Sequence, residues 1–233
     1  MEREKHEQLV AELRDPTALA AFCAACDSYR PHRISRILAG FLINAGNVIY
    51  GARPSYGKFK ALEVIARIPY QSWEAVAYTL LTVFYSDEHR AIRLSRIIPF
   101  ARHAQDNETM HVVVLSALAR RHGARGFIRF TAVPLVFSFA YYWAIWVLSI
   151  FDKHIAFEIN FLFESHAYEQ YRAFIDEHAL ALRGRPVESA YLRFYGRTVQ
   201  DELELFESIA LDEVIHRNAS VDMLRAMSHG HAA

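Results

Sequence analysis

Two Glu-x-x-His pairs stand out in the chain, Glu108-Thr109-Met110-His111 and Glu213-Val214-Ile215-His216. On a helix, residues three apart share a face, so each pair can present a carboxylate and an imidazole to one metal ion. With 17 Glu and 12 His in 233 residues, about one such pair arises by chance, so context must carry the argument. Glu63 lies in Ala61-Leu62-Glu63-Val64-Ile65-Ala66, and Glu164 lies in Phe161-Leu162-Phe163-Glu164-Ser165-His166-Ala167. Burying an ionised Glu among such neighbours costs several kcal/mol unless it is paired or bound to a metal.

The four segments run in the order Glu, Glu-x-x-His, Glu, Glu-x-x-His, with ligand spacings of 45, 56 and 49 residues (63 to 108, 108 to 164, 164 to 213). Each gap suits one long helix and its turn. This order is the pattern of a carboxylate-bridged dinuclear site in a four-helix bundle. Carboxylate and imidazole donors suit iron, manganese or zinc.

The elements that must position these residues are helices. Gly and Pro number nine and seven, β-branched alternation is scarce, and Ala-, Leu-, Arg- and Glu-rich runs dominate. Helices are expected at about 16–29, 58–86, 91–121, 125–151, 153–182 and 188–227, with Pro31, Pro54, Asp87, Gly123, Gly126, Gly184 and Pro186 as breakers. The fold class is all-α, a ferritin-like four-helix bundle with additional interfacial helices. Its expected organisation is an N-terminal helical arm over 1–45, the metal-binding bundle over 46–228 and a tail over 229–233.

Composition limits the alternatives. The chain is 53% hydrophobic and 22% charged, with 26 basic and 26 acidic residues, so a disordered protein is excluded and nothing electrostatic argues for nucleic acid. Two cysteines, Cys23 and Cys26, give no disulfide framework and suggest a reducing compartment. Their Cys-x-x-Cys spacing fits a redox pair or half a zinc site, but the Ala-rich surroundings suit an ordinary helix. His229 and His231 lie in the short polar tail. The mixed-charge opening over residues 1–7 lacks the features of a secretory or transit signal.

Residues 130–151 carry no charge and are rich in aromatics, which is long enough to span a bilayer. Pro134 and the aromatics spread through its middle instead favour a helix lying in the membrane interface, ahead of a buried core helix, with spanning third. Arg125, Arg129 and Lys153 are placed to meet anionic head groups.

These motifs resemble the alternative oxidases, di-iron quinol oxidases that include the plastid terminal oxidases. The family's Leu-Glu-Thr with a proline six positions later is similar to Leu62-Glu63-Val64 and Pro69. Its Asn-Glu-Arg-Met-His is similar to Asn107-Glu108-Thr109-Met110-His111, and its Leu-Glu-Glu-Glu-Ala-Ile-His-Ser-Tyr is matched more loosely by residues 163–171. Its Ala-Asp-Glu-Ala-His-His-Arg is similar to the segment from Leu211 to Arg217. The likeness covers roughly residues 45–225.

The resemblance implies that Glu63, Glu108, His111, Glu164, Glu213 and His216 bind two irons, with Glu108 and Glu213 bridging. Tyr171 matches the family's tyrosine near the metals, and Asp212 matches a carboxylate that steadies a ligand imidazole. Lys58, Leu62, Phe163, His166 and Gln170 fall at the quinol pocket. Lys58 replaces an arginine, and Ser165, His166 and Glu169 depart from the family's third motif, so the chain resembles a divergent member. The implied activity is quinol oxidation with reduction of oxygen to water, without proton pumping. The implied setting is a homodimer held peripherally on the cytoplasmic face of a bacterial inner membrane, with a membrane quinol and oxygen as partners. The rival readings are a di-iron monooxygenase of a quinone precursor or another lipid-soluble substrate, a ferritin-like iron-binding protein, and a metal-free helical scaffold.

Overall fold

A computed structural model describes residues 2–229 and, for side chains, residues 3–227. In chain order the helices are α1 Glu2–Glu12, α2 Pro16–Asp27, α3 Arg33–Tyr50, α4 Tyr56–Ala66, α5 Ile68–Phe84, α6 Glu88–Ser95 and α7 Ile97–Arg121. A π-helical turn, Ile128–Ala132, leads into α8 Val133–Phe151, followed by α9 Lys153–Leu182, α10 Ala190–Tyr195 and α11 Glu202–His229. The described residues contain no strand, so the all-α expectation is borne out. Residues 230–233, with His231, lie outside the described residues, as does the side chain of His229.

Three expected helices are each two. The 58–86 helix breaks at Arg67, because Pro69 has no N–H and its ring excludes the carbonyl four residues earlier. Pro99 has the same effect on the 91–121 helix, which divides into α6 and α7 at Arg96. The 188–227 helix ends early at Gly196, whose φ of 90° is left-handed, and restarts at α11. Helices α1 and α3 were not placed individually, although a helical arm was expected over 1–45.

The chain divides into two compact units, one of residues up to Ser55 and from Phe157 onward, the other Tyr56–Ala156. In the second unit α4 and α5 pack against both α7 and α8. Lys60 neighbours Arg120, and Glu63 neighbours His111, so α4 and α7 run antiparallel. Tyr70, Trp73 and Phe100 form an aromatic core, with Tyr70 edge-on to both partners. On α8 the buried residues are Pro134, Ser138, Tyr141 and Ile145, a stripe at helical spacing. It is fixed by bonds from Ser138 Oγ to the Val64 carbonyl and from Ser72 Oγ to the Tyr142 carbonyl, both 3.1 Å. The opposite face stays exposed, with Val136 at 69% and Phe139 at 70%. Residues Ile128–Phe151 are long and apolar enough to cross a membrane by length and composition.

In the first unit α9 and α11 lie antiparallel, with Asn160 donating to Ser220 at 3.1 Å and Tyr171 beside Phe206 further along. Asp15 caps α2 through the Ala18 N–H, and Pro16 occupies its first turn. Its C-terminal carbonyls are met by α11: Asn218 donates to Phe22, Arg217 to Cys23 and Arg225 to Ala25. Val10 of α1 and Leu13, the residue after its last turn, pack on Leu211 and Ile215. Cys26 is buried with Phe161 and Val221, where burial pushes its thiol pKa up. Neither cysteine joins a metal-binding group among the described residues.

Candidate metal centre

Each unit holds one carboxylate and imidazole triad. In unit Tyr56–Ala156, α4 supplies Glu63 and α7 supplies Glu108 and His111, all at most 3% exposed. The antiparallel packing brings Glu63 opposite the Glu108–His111 turn. His111 Nδ1 lies 3.4 Å from Glu63 Oε2 and 3.6 Å from Glu108 Oε2. One donor atom from each of the three lies within 4.8 Å of the others.

In the other unit, α9 supplies Glu164 and α11 supplies Glu213 and His216, each 1% exposed. One donor atom from each again lies within 4.8 Å of the others. The register that pairs Asn160 with Ser220 and Tyr171 with Phe206 sets Glu164 against the Glu213–His216 turn.

The donor chemistry fits metal in both triads. Oxygen and nitrogen ligands bound at about 2.0–2.2 Å stand roughly 3–3.5 Å apart around a shared ion. The His111 to Glu63 separation falls within that spacing and the His111 to Glu108 separation just beyond it, and both exceed the usual length of a charge-assisted hydrogen bond. Two buried carboxylates beside one imidazole in each triad also concentrate negative charge that a cation would offset.

Asp212 stands next to Glu213 and is fully buried. Its carboxylate accepts from Arg197 Nη1 at Oδ2, and at Oδ1 from Arg197 Nη2 at 2.9 Å and His6 Nε2 at 2.7 Å. Arg197 also reaches Glu7, with Nη2 2.7 Å from Oε1. Burial works against the guanidinium charge, but Asp212 and Glu7 outweigh it and raise the pKa of Arg197. The His6 ring centroid is 5.9 Å from that of His216, so a residue of α1 stands beside a candidate ligand. Sequence reading passed over His6. The available signal was spacing, since His6, Val10 and Leu13 fall at i, i+4 and i+7 on one face of a charged helix.

Tyr171 is fully buried, with its ring 6.1 Å from Phe206. Lys58 is 1% exposed on α4, where burial lowers its ammonium pKa, and Leu62 is half-buried one turn on. Phe163, His166 and Gln170 are half-buried on α9 at i, i+3 and i+7, which places them on one side of that helix.

A second buried carboxylate was also missed. Glu158, fully buried on α9, accepts from Tyr29 Oη at 2.7 Å, Ser35 Oγ at 2.6 Å, and His32 through Nδ1 at 2.8 Å and its backbone N–H at 3.1 Å. Its sequence setting, Ala156-Phe157-Glu158-Ile159, carries the same warning of a buried charge as Glu63. Here hydrogen bonds answer it.

An all-helical chain with two buried glutamate and histidine triads defines a candidate metal-binding helical protein. Comparison with known proteins narrows the class. The chain is 27% identical over 162 residues to ubiquinol oxidase 4, chloroplastic/chromoplastic, of Arabidopsis thaliana; the match covers 70% of this chain and 43% of that protein. This chain thus matches less than half the length of its curated relative. No family model matches, and no solved structure matches.

Proposed function

We propose that this protein is a membrane-associated quinol oxidase that reduces oxygen to water at a carboxylate-bridged di-iron site. The observation that carries the reading is the pair of buried triads, Glu63, Glu108 and His111 with Glu164, Glu213 and His216. Their order along the chain matches the dinuclear pattern, and the similarity to a ubiquinol oxidase supplies the substrate class. These six residues would hold the two irons. Bound irons would supply the redox chemistry, the four-electron reduction of one oxygen by two quinols to two waters and two quinones.

The chain's own residues prepare and protect that chemistry. Asp212, held by Arg197 and His6, fixes the start of the Glu213–His216 turn. Tyr171, buried on α9, keeps a phenolic O–H out of water, where it can pass a proton or an electron toward oxygen. Lys58, Leu62, Phe163, His166 and Gln170 are assigned to the quinol head group, with the Lys58 ammonium taking the place of a bidentate arginine. The exposed face of α8 rests in the membrane interface, so an apolar quinol tail can stay in lipid. The protein acts as a homodimer on the cytoplasmic face of a bacterial inner membrane.

The test is oxygen uptake by purified protein in detergent with a short-tailed quinol, with iron counted on the same sample. The expected result is cyanide-insensitive uptake at two quinols per oxygen, abolished in Glu213→Ala with helicity retained. Bound iron with an oxygen atom inserted into the substrate would identify a monooxygenase. Bound iron with neither reaction would leave an iron-binding protein, and no bound metal would overturn every di-iron reading.

A further inference from the structure

The membrane association proposed above leaves open what kind of leaflet the protein meets, and the end of α7 bears on it. Between Glu108 and Asp152 the chain has no acidic residue, while it carries Arg120, Arg121, Arg125 and Arg129. Arg120, Arg125 and Arg129 are exposed. Lys60 of α4 joins them: its Nζ lies 5.8 Å from the Phe130 ring centroid, and the Arg129 guanidinium carbon lies 5.4 Å from the same point. The ring can stand there because residue 57 is glycine, since a Cβ at that position would come within 2.9 Å of Phe130 Cε1. Burial lowers the Lys60 ammonium pKa, and the neighbouring Arg120 charge lowers it further. Lys60 and Arg129 thus flank one aromatic post, with Arg120 beside Lys60 and Arg125 four residues before Arg129 in a stretch of chain that has no acid.

Local helix stability explains only part of this cluster. Arg120 sits in the last turn of α7, where the helix dipole favours a cation. Arg129 lies in the first turn of the next helical stretch, where the dipole favours an anion, and Arg125 lies in the connection just before it. Beside them Phe127 is 73% and Ile128 is 74% exposed, and this apolar surface continues onto the exposed face of α8 within the same unit. Exposed apolar side chains edged by cations meet the two requirements of an anionic bilayer surface, apolar insertion and phosphate neutralisation.

We propose that Lys60, Arg120, Arg125 and Arg129, with Phe127 and Ile128, form a docking surface for anionic phospholipid head groups, so that the protein selects a negatively charged leaflet. The test is flotation of the full-length, iron-loaded protein with phosphatidylcholine vesicles and with vesicles in which about a third of the lipid is phosphatidylglycerol. Binding to the anionic vesicles is expected to be at least about tenfold tighter, with the advantage shrinking as salt screens the cations. The doubly charge-reversed variant, Arg125→Glu with Arg129→Glu, is expected to lose that advantage while keeping its melting temperature and its binding to neutral vesicles. Arg172→Glu, a charge reversal at an exposed position on α9, is expected to keep it. Equal binding to both vesicle types, or a preference that survives the double reversal, would overturn the anionic surface and leave membrane association standing. No binding to either vesicle would overturn both.

Discussion

His6 Nε2 lies 2.7 Å from Asp212 Oδ1, so the first helix of the chain is tied, across 206 residues, to the carboxylate beside a candidate metal ligand. Arg197 donates to the same carboxylate through two nitrogens. Removing Asp212 would leave a buried guanidinium with only Glu7 to balance it. Asp212→Ala is therefore expected to lower the stability of the metal-free protein by about 3–5 kcal/mol. Urea unfolding of chelator-treated protein measures this, and a loss below about 1 kcal/mol would show that the network does not hold the fold.

The Glu158 cluster gives a pH signature. Desolvation pushes the carboxyl pKa up, but the bonds from Ser35, Tyr29 and His32 outweigh it and hold the value below the ordinary glutamate range. A depressed carboxyl contributes stability above its unfolded pKa, and that stability disappears as pH falls through the folded pKa. Glu158→Gln should lower stability near neutral pH by about 2 kcal/mol, and its difference from wild type should shrink below about pH 4. Denaturant melts across pH 3–7 follow both effects, and a difference independent of pH would exclude the ionised carboxylate as the cause.

Gly57 and Phe130 form a close-packed pair. A side chain at 57 must displace the Phe130 ring, so Gly57→Val is expected to cost about 1–3 kcal/mol. Phe130→Ala in the same chain should recover much of that loss, giving a coupling of about 1 kcal/mol or more in a double-mutant cycle. Additive effects would mean that the valine is accommodated without moving the ring.

The proposed role of Lys58 in holding the quinol head group can be tested apart from metal binding, because Lys58 is not among the candidate metal ligands. Lys58→Met is expected to leave the iron content unchanged and to raise the quinol KM about tenfold, the loss of one charge-assisted hydrogen bond. Steady-state oxygen uptake reads this directly. Unchanged KM would remove Lys58 from the pocket.

The four helices that carry the candidate ligands fall on expected helical segments, although three of those segments each divide into two helices. The expected 153–182 helix matches α9 at both ends. Where the sequence misled, single residues explain it. Pro69 and Pro99 were each compatible with a first helical turn as well as an interior, and their carbonyl clashes decide for the first turn. Helix α1 has few apolar residues, so the stripe of His6, Val10 and Leu13 was hidden among charges. Helix α3 exposes Phe41 at 70% and Val48 at 86% and contains Gly40, Asn44, Gly46 and Asn47, which weakened every local signal for a helix. Glu158 and His6 find their partners 123 or more residues away, a pairing that no local window contains.

The most direct test of the central claim is the metal content of protein produced in iron-supplemented medium, with Mössbauer spectra of the same sample. The account predicts two antiferromagnetically coupled irons per chain, falling sharply in both Glu63→Ala and Glu213→Ala while helicity is retained. One iron per chain, or two magnetically isolated irons that either variant leaves in place, would contradict a single centre built from both triads.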